Sequence, residues 1–167
     1  KVDFWLRNLV ELRAALSELN VPLLIRHADT WDLAPNVLLE LCREHQIETV
    51  HANEEYGIHE SDRDQAVAQA LHDAGIHWRS HLDQLFFKPG SVLTKTGTYF
   101  KVFSQFRKVC YNRMHSAMPP LVRLPKKQQA LEIQSDDVPQ QVEGFATPSK
   151  MLIALWPAGE EEARRRL

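Results

Sequence analysis

The side chains with most chemistry to offer stand together in one stretch, Asn53-Glu54-Glu55-Tyr56-Gly57-Ile58-His59-Glu60-Ser61-Asp62-Arg63-Asp64. An apolar run over residues 47–52 precedes it and fits a buried strand. After it, Val67, Ala70, Leu71 and Ala74 recur at helical spacing. The order is therefore strand, polar loop, helix. In an open α/β sheet the loop leaving the carboxyl end of a strand is where ligands sit, because backbone donors and a helix start converge there. The chemistry this stretch supports is recognition of a bound ligand.

Other chemistries find less support. Eight histidines invite a metal hypothesis. His77-x-x-x-His81 lies on an expected strand, however, where positions four apart share a face but stand too far apart for ready ligation, and there are no cysteine pairs. No metal is expected. Ser61, Ser80 and Ser104 lack the glycines of a nucleophile elbow, so no catalytic residue is assigned. Neither a Gly-rich phosphate loop nor a dinucleotide fingerprint is present.

The totals bound the answer further. A chain of 167 residues, 44% hydrophobic and 25% charged, is the size and composition of one globular domain. Its net charge of -2 argues against the strongly basic surface of a self-sufficient nucleic-acid binder. Cys42 and Cys110 have no motif spacing, which points to free thiols in a reducing compartment, the cytoplasm. No apolar run approaches the roughly 20 residues that span a bilayer, and the start Lys1-Val2-Asp3 has no signal-peptide core. The chain opens inside a helix without an initiator Met, so further sequence is expected upstream.

The elements that must position the polar loop follow from periodicity. Val2, Trp5, Leu6, Leu9, Leu12, Leu16 and Leu19 mark an amphipathic helix that Asn20 can end. Residues 21–26 read as a short strand with Pro22 near its start. Asp32 and Pro35 prepare a second helix carrying Val37, Leu38, Leu41 and Cys42. The third helix is expected over residues 61–74, with Ser61-x-x-Asp64 as a capping box and Gly75 as its stop. Residues 76–82 alternate like a half-buried or edge strand. Alternating strands and helices with short connections predict a doubly wound, mainly parallel α/β sheet with helices on both faces. Beyond Leu82 come turns, then a helix from about Phe100 and a connector broken by Pro119, Pro120, Pro125, Pro139 and Pro148. A last helix is expected over residues 156–167.

Two runs are distinctive enough to carry a resemblance. Lys88-Pro89-Gly90-Ser91-Val92-Leu93-Thr94 is followed by Gly97-Thr98-Tyr99-Phe100-Lys101-Val102-Phe103-Ser104-Gln105-Phe106-Arg107. On spacing alone Tyr99, Phe100, Phe103 and Phe106 are packing residues, and Lys101, Arg107, Lys108 and Arg113 form a solvated basic face. The order of these residues, however, closely resembles a segment of the DNA photolyases and cryptochromes. Asn20-Val21-Pro22-Leu23-Leu24 and the Asn53–Asp64 stretch resemble the same family, most strongly over residues 1–114.

The resemblance implies an amino-terminal α/β domain over residues 1–117 whose first strand is missing, a connector over 118–150 and the truncated start of a helical domain over 151–167. It implies a parent that repairs cyclobutane pyrimidine dimers in UV-damaged DNA with light, FAD held by the helical domain, and an antenna pigment held here. In the folate-type photolyases an Asn-Glu pair contacts methenyltetrahydrofolate, and the matching positions are His59 and Glu60. A carboxylate such as Glu60 can accept paired hydrogen bonds from an aminopyrimidine ring, whereas His59 departs from the family's Asn. A cryptochrome-type blue-light receptor and a stand-alone nucleotide-binding α/β domain are the alternatives. The family's relay tryptophans lie in the helical domain, so Trp5, Trp31, Trp78 and Trp156 are expected in the core or an interface.

Overall fold

The structure, a computed structural model, describes residues 1–116, 118 and 122–167. It divides into two compact units, Arg26–Val122 and a unit made from Lys1–Ile25 with Arg123–Leu167.

The Arg26–Val122 unit contains the sheet. A 3-10 turn, Trp31–Leu33, leads into helix α2, Ala34–Glu44, whose buried Pro35 occupies the first turn, where a missing N–H costs nothing. Strand β1 is Thr49–Asn53, helix α3 is Ile58–Asp73 and strand β2 is His77–His81. The strands are parallel and paired in the register Thr49 to His77 through Asn53 to His81. This is the α/β class with parallel strands that the alternation of elements predicts. Cys42, Val67 and Leu71 form the buried core, with Leu38, Leu39, Ile47, Val50, Ile76 and Trp78 packed on it. Val50 and Trp78 are register partners turned toward α2 and α3, while the next pair, His51 and Arg79, is exposed.

The same C-terminal device closes three helices, the third being α1, Val2–Glu18, in the other unit. After α1, α2 and α3, Asn20, Gln46 and Gly75 take left-handed backbone with φ of 58°, 53° and 76°. Their amides bond to Ser17, Arg43 and His72 carbonyls, and the next amides, of Val21, Ile47 and Ile76, bond to Leu16, Cys42 and Leu71 carbonyls. These are paired Schellman bonds, in which an apolar residue just past the helix is turned back against its last turn. Gly75 adopts this backbone without strain, whereas Gln46 carries a Cβ into it.

Several expected elements shift. Helix α3 begins three residues before Ser61, with Gly57 as its N-cap, and the Ser61 amide bonds to the Gly57 carbonyl. The Ser61-x-x-Asp64 capping box therefore does not form, because Glu60 already meets the helix dipole in an earlier first turn. Residues 21–26 are not a sheet strand. The Leu23 and Ile25 amides are taken by Ser135 Oγ at 3.0 Å and Asp136 Oδ2 at 2.7 Å, and the Asp136 amide returns to the Leu23 carbonyl at 2.9 Å. Helix α4, Phe103–Ser116, has no buried residue; Phe100 and Phe106 meet edge to face at 6.2 Å, but Tyr99 and Phe103 are 73% and 72% exposed. The expected packing of these four aromatics is thus only half realised within the described residues. Of the expected connector and helix residues, 117 and 119–121 lie outside the described ones.

In the other unit, Gln128 exchanges two hydrogen bonds with Asn20 and donates its amide to the Leu19 carbonyl, which pins the connector to the end of α1, and Arg13 pairs with Asp137 at 3.1 Å. Helix α5, Lys150–Leu155, is capped by Ser149 and was not expected; α6, Glu160–Arg166, was. Arg165 and Arg166 both donate to Glu162, and these hydrogen bonds hold its carboxyl at about 2, below the usual 4.5. A depressed folded-state value means this contribution is complete above about pH 4.5 and disappears as pH falls toward 2.

Three measurements follow from this packing. Leu71→Ala, at a position with 0% exposure, is expected to cost about 2–5 kcal/mol in urea unfolding. Gln46→Gly is expected to stabilise by about 0.5–1 kcal/mol by relieving left-handed backbone at a residue with a Cβ. A side-chain NMR titration should place the Glu162 midpoint near 2, and Arg165→Gln should move it up toward 4.5.

Candidate functional site

The polar loop sits where strand–helix logic puts it. Beyond β1 the Glu54 amide still bonds to the His81 carbonyl at 2.9 Å, and Asn53 Nδ2 donates to Asp83 at 3.1 Å. Both bonds hold the loop against the carboxyl end of β2. Between this loop, α3 and β2 lies a groove of 230 Å³. Ala68 and Trp78 give it an apolar floor; Glu54, Tyr56, Gln65 and Ser80 contribute polar groups around it. The arrangement offers a flat surface for a ring and acceptors at its edge, the general make-up of a small-molecule site.

One cation organises the acidic side of the groove. Arg63 donates through Nη2 to Glu55 at 2.7 Å, and through Nε and Nη2 to Asp64 at 2.9 and 2.7 Å. Its guanidinium also lies 5.3 Å from the centre of the Trp31 ring. Desolvation opposes its charge, but the hydrogen bonds and charges of Glu55 and Asp64 outweigh this, so the guanidinium is held protonated more firmly than usual. Across the loop, Tyr56 donates to Glu54 at 3.2 Å. Desolvation first, then this bond and the Glu54 charge, push the phenol above its ordinary value, keeping it a donor.

The residues carried over from the resemblance stand at the start of α3. His59 is exposed and Glu60 half-buried, and neither lines the groove. The Glu60 carboxylate folds back over Gly57 so closely that a Cβ there would collide with it. Gly57 is in extended backbone, φ -69°, so glycine is needed here for the approach of Glu60 and not for its dihedral angles. The chain thus presents Glu60 at the mouth of the helix dipole, where a carboxylate is favoured.

Sequence reasoning missed the Arg63 clamp, because Trp31 and Glu55 are joined to it only in space. It also missed Ser80 and Trp78 as groove residues, since strand alternation identifies a face but not what opposes it. Among the described residues no group of three or more His, Cys, Asp or Glu is arranged to hold a metal ion, and no helix is long and apolar enough to cross a membrane. On the basic face, Arg113 donates to the Ser91 carbonyl at 2.9 Å, which ties α4 to the preceding loop, while Lys101, Arg107 and Lys108 are exposed.

Arg63→Ala leaves two partly buried carboxylates unpaired and is expected to cost about 1–3 kcal/mol in thermal unfolding. Arg63→Lys should recover only part of this, because an ammonium cannot make the fork or stack on Trp31.

Comparison with known proteins adds a family. Residues 1–126 match the family model described as DNA photolyase. The chain is 36% identical over 108 residues to a deoxyribodipyrimidine photo-lyase of Vibrio cholerae, covering 65% of this chain and 23% of the relative. It is 30% identical over 115 residues to that of Escherichia coli K12, covering 69% and 24%. An uncharacterized 31.6 kDa protein of Synechococcus sp. PCC 6716 aligns along 100% of this chain and 57% of its own length at 28% identity. In fold, it is similar to a bacterial class III photolyase from Agrobacterium tumefaciens, with TM-score 0.66 and 24% identity over 81% of this chain and 28% of that one. The chain spans about a quarter of the length of the photo-lyases it matches.

Proposed function

Because the chain belongs to the DNA photolyase family, we propose that it is the antenna-domain portion of a deoxyribodipyrimidine photo-lyase, which splits pyrimidine dimers in UV-damaged DNA under light. The observation that carries the reading is the family match over residues 1–126, which includes the loop, α3 and the aromatic run before α4. In this reading residues 1–117 belong to the amino-terminal α/β domain, 118–150 connect it onward and 151–167 begin a helical domain. The bond from Asn20 to the Gln128 carbonyl and that from the Asp136 amide to the Leu23 carbonyl support a connector that returns to the end of α1. FAD and the damaged DNA are assigned to the helical domain, so no catalytic residue is assigned within this chain. A DNA substrate also supports the cytoplasm of a bacterial parent as the working compartment.

The antenna pigment, methenyltetrahydrofolate in this reading, supplies light absorption and energy transfer to the flavin when bound. The residues present fit an amino-heterocycle. Glu60 is half-buried at a helix mouth, and no cation pairs with it among the described residues, so its carboxylate is available to accept paired hydrogen bonds. His59, exposed beside it, can donate one hydrogen bond in place of the family's Asn.

Titrating the chain with methenyltetrahydrofolate, read by its absorbance, is expected to give saturable binding. Glu60→Gln should weaken it by about tenfold or more, since hydrogen bonds to a charged acceptor contribute about 1.5–3 kcal/mol. Equal binding by the variant removes Glu60 from the site. Illuminating this chain with FAD and dimer-containing DNA should give no repair, whereas the full-length natural protein should restore repair to a photolyase-deficient strain. Failure of the full-length protein would favour the cryptochrome reading.

A further inference from the structure

We propose that His51 and His81 form a two-imidazole site for a divalent transition metal on the exposed face of the parallel sheet. His51 Nδ1 and His81 Nε2 are 2.8 Å apart, and the rings are tilted by only 10° with centroids 5.1 Å apart. Two imidazole nitrogens sharing one Zn²⁺, each at about 2.0–2.1 Å, stand about 2.9–3.4 Å apart at angles between square and tetrahedral. The pair is therefore within a few tenths of an ångström of chelating distance.

The sheet register produces this approach. Asn53 is the partner of His81 and His51 the partner of Arg79, so His51 and His81 are diagonal neighbours on one outward face. Diagonal pairs on a sheet lie within reach of long side chains. Both rings are exposed, so solvent can complete the coordination shell. In the metal-free pair the two facing nitrogens share a single hydrogen. On metal binding the donating ring carries that hydrogen on its other nitrogen, exposed to solvent, so that His51 Nδ1 and His81 Nε2 each offer a lone pair and the metal ion gains one ligand bond from each ring in exchange for bound water. Asn53 holds the Asp83 carboxylate at the same end of β2, which adds negative charge beyond His81. Arg79 is exposed, where a like charge is screened by solvent and costs little. Imidazole donors with water favour Ni²⁺, Cu²⁺ or Zn²⁺ over Mg²⁺ and Ca²⁺. The site is independent of the pigment reading, because neither histidine belongs to the groove or to the start of α3.

The test uses the 167-residue chain and Ni²⁺ alone, by calorimetry. Losing one arm of a bidentate site should weaken binding on the order of 100-fold, so His51→Asn and His81→Asn should each show that loss with an unchanged circular dichroism spectrum. His77→Asn, on the same face of β2 but two repeats from His81 with Arg79 between them, should leave binding unchanged. As a second reading, substoichiometric Cu²⁺ should selectively broaden the NMR ring signals of His51 and His81. Equal affinity in the wild type and both variants, an equal loss in His77→Asn, or uniform broadening of all eight histidines would overturn the proposal.

Discussion

The structure depends on how its helices stop. At Asn20, Gln46 and Gly75 the backbone turns left-handed, and the following residue's amide is returned to the last helical turn. That bond satisfies carbonyls which a helix end would otherwise leave open, and it reverses the chain within two residues. For α2 and α3 the consequence is structural, because Ile47 and Ile76 are brought onto Cys42 and Leu71 in the core. Both strands then leave the same kind of corner and run parallel, and the register of β1 with β2 follows. Among the described residues that core cluster has three buried side chains, Cys42, Val67 and Leu71, and the hydrogen-bonded corners add order around it.

Register in turn separates two chemistries across one thin sheet. One face gives Val50 and Trp78 to the helices, and Trp78 also floors the groove at the strand ends. The other face carries His51, Asn53, Arg79 and His81 in solvent. A slip of one residue would exchange these sets, burying imidazoles and exposing the core, so the pattern tolerates no alternative pairing. At the carboxyl end two hydrogen bonds tie the acidic loop to β2, and a half-buried cation balances its charge. Arg63 answers Glu55 and Asp64 together and rests on Trp31, so the loop stays ordered although three carboxylates, Glu54, Glu55 and Asp64, line the groove beside it.

Much of this was legible beforehand. The apolar run before Asn53 and the helical spacing of Val67 and Leu71 predict β1 and α3, and Asn20 and Gly75 announce two of the three helix stops. Gln46 gave no warning, since a glutamine rarely takes left-handed backbone and is forced into it by the bonds on either side. The start of α3 was misplaced because a Ser-x-x-Asp pattern competes with an acidic first turn and a glycine cap, and local pattern cannot weigh them. Residues 21–26 have the composition of a strand, but composition says nothing of which acceptors are near; Ser135 and Asp136, more than a hundred positions away, take those amides. The exposure of Tyr99 and Phe103 was equally hidden, because helical spacing marks an apolar stripe without supplying the surface that covers it.

The sequence by itself determined the α/β class, the location of the polar loop between β1 and α3 and, through the order of unusual residues between Lys88 and Arg107, the photolyase family. These are local or near-local properties, set by periodicity, turn chemistry and residue order. Only the tertiary structure decided that Arg63 clamps Glu55 and Asp64 against Trp31, that Glu60 folds over Gly57 outside the groove, and that His51 meets His81. Each of these depends on side-chain approaches set by backbone register and packing, which are distances in space that no spacing along the chain encodes.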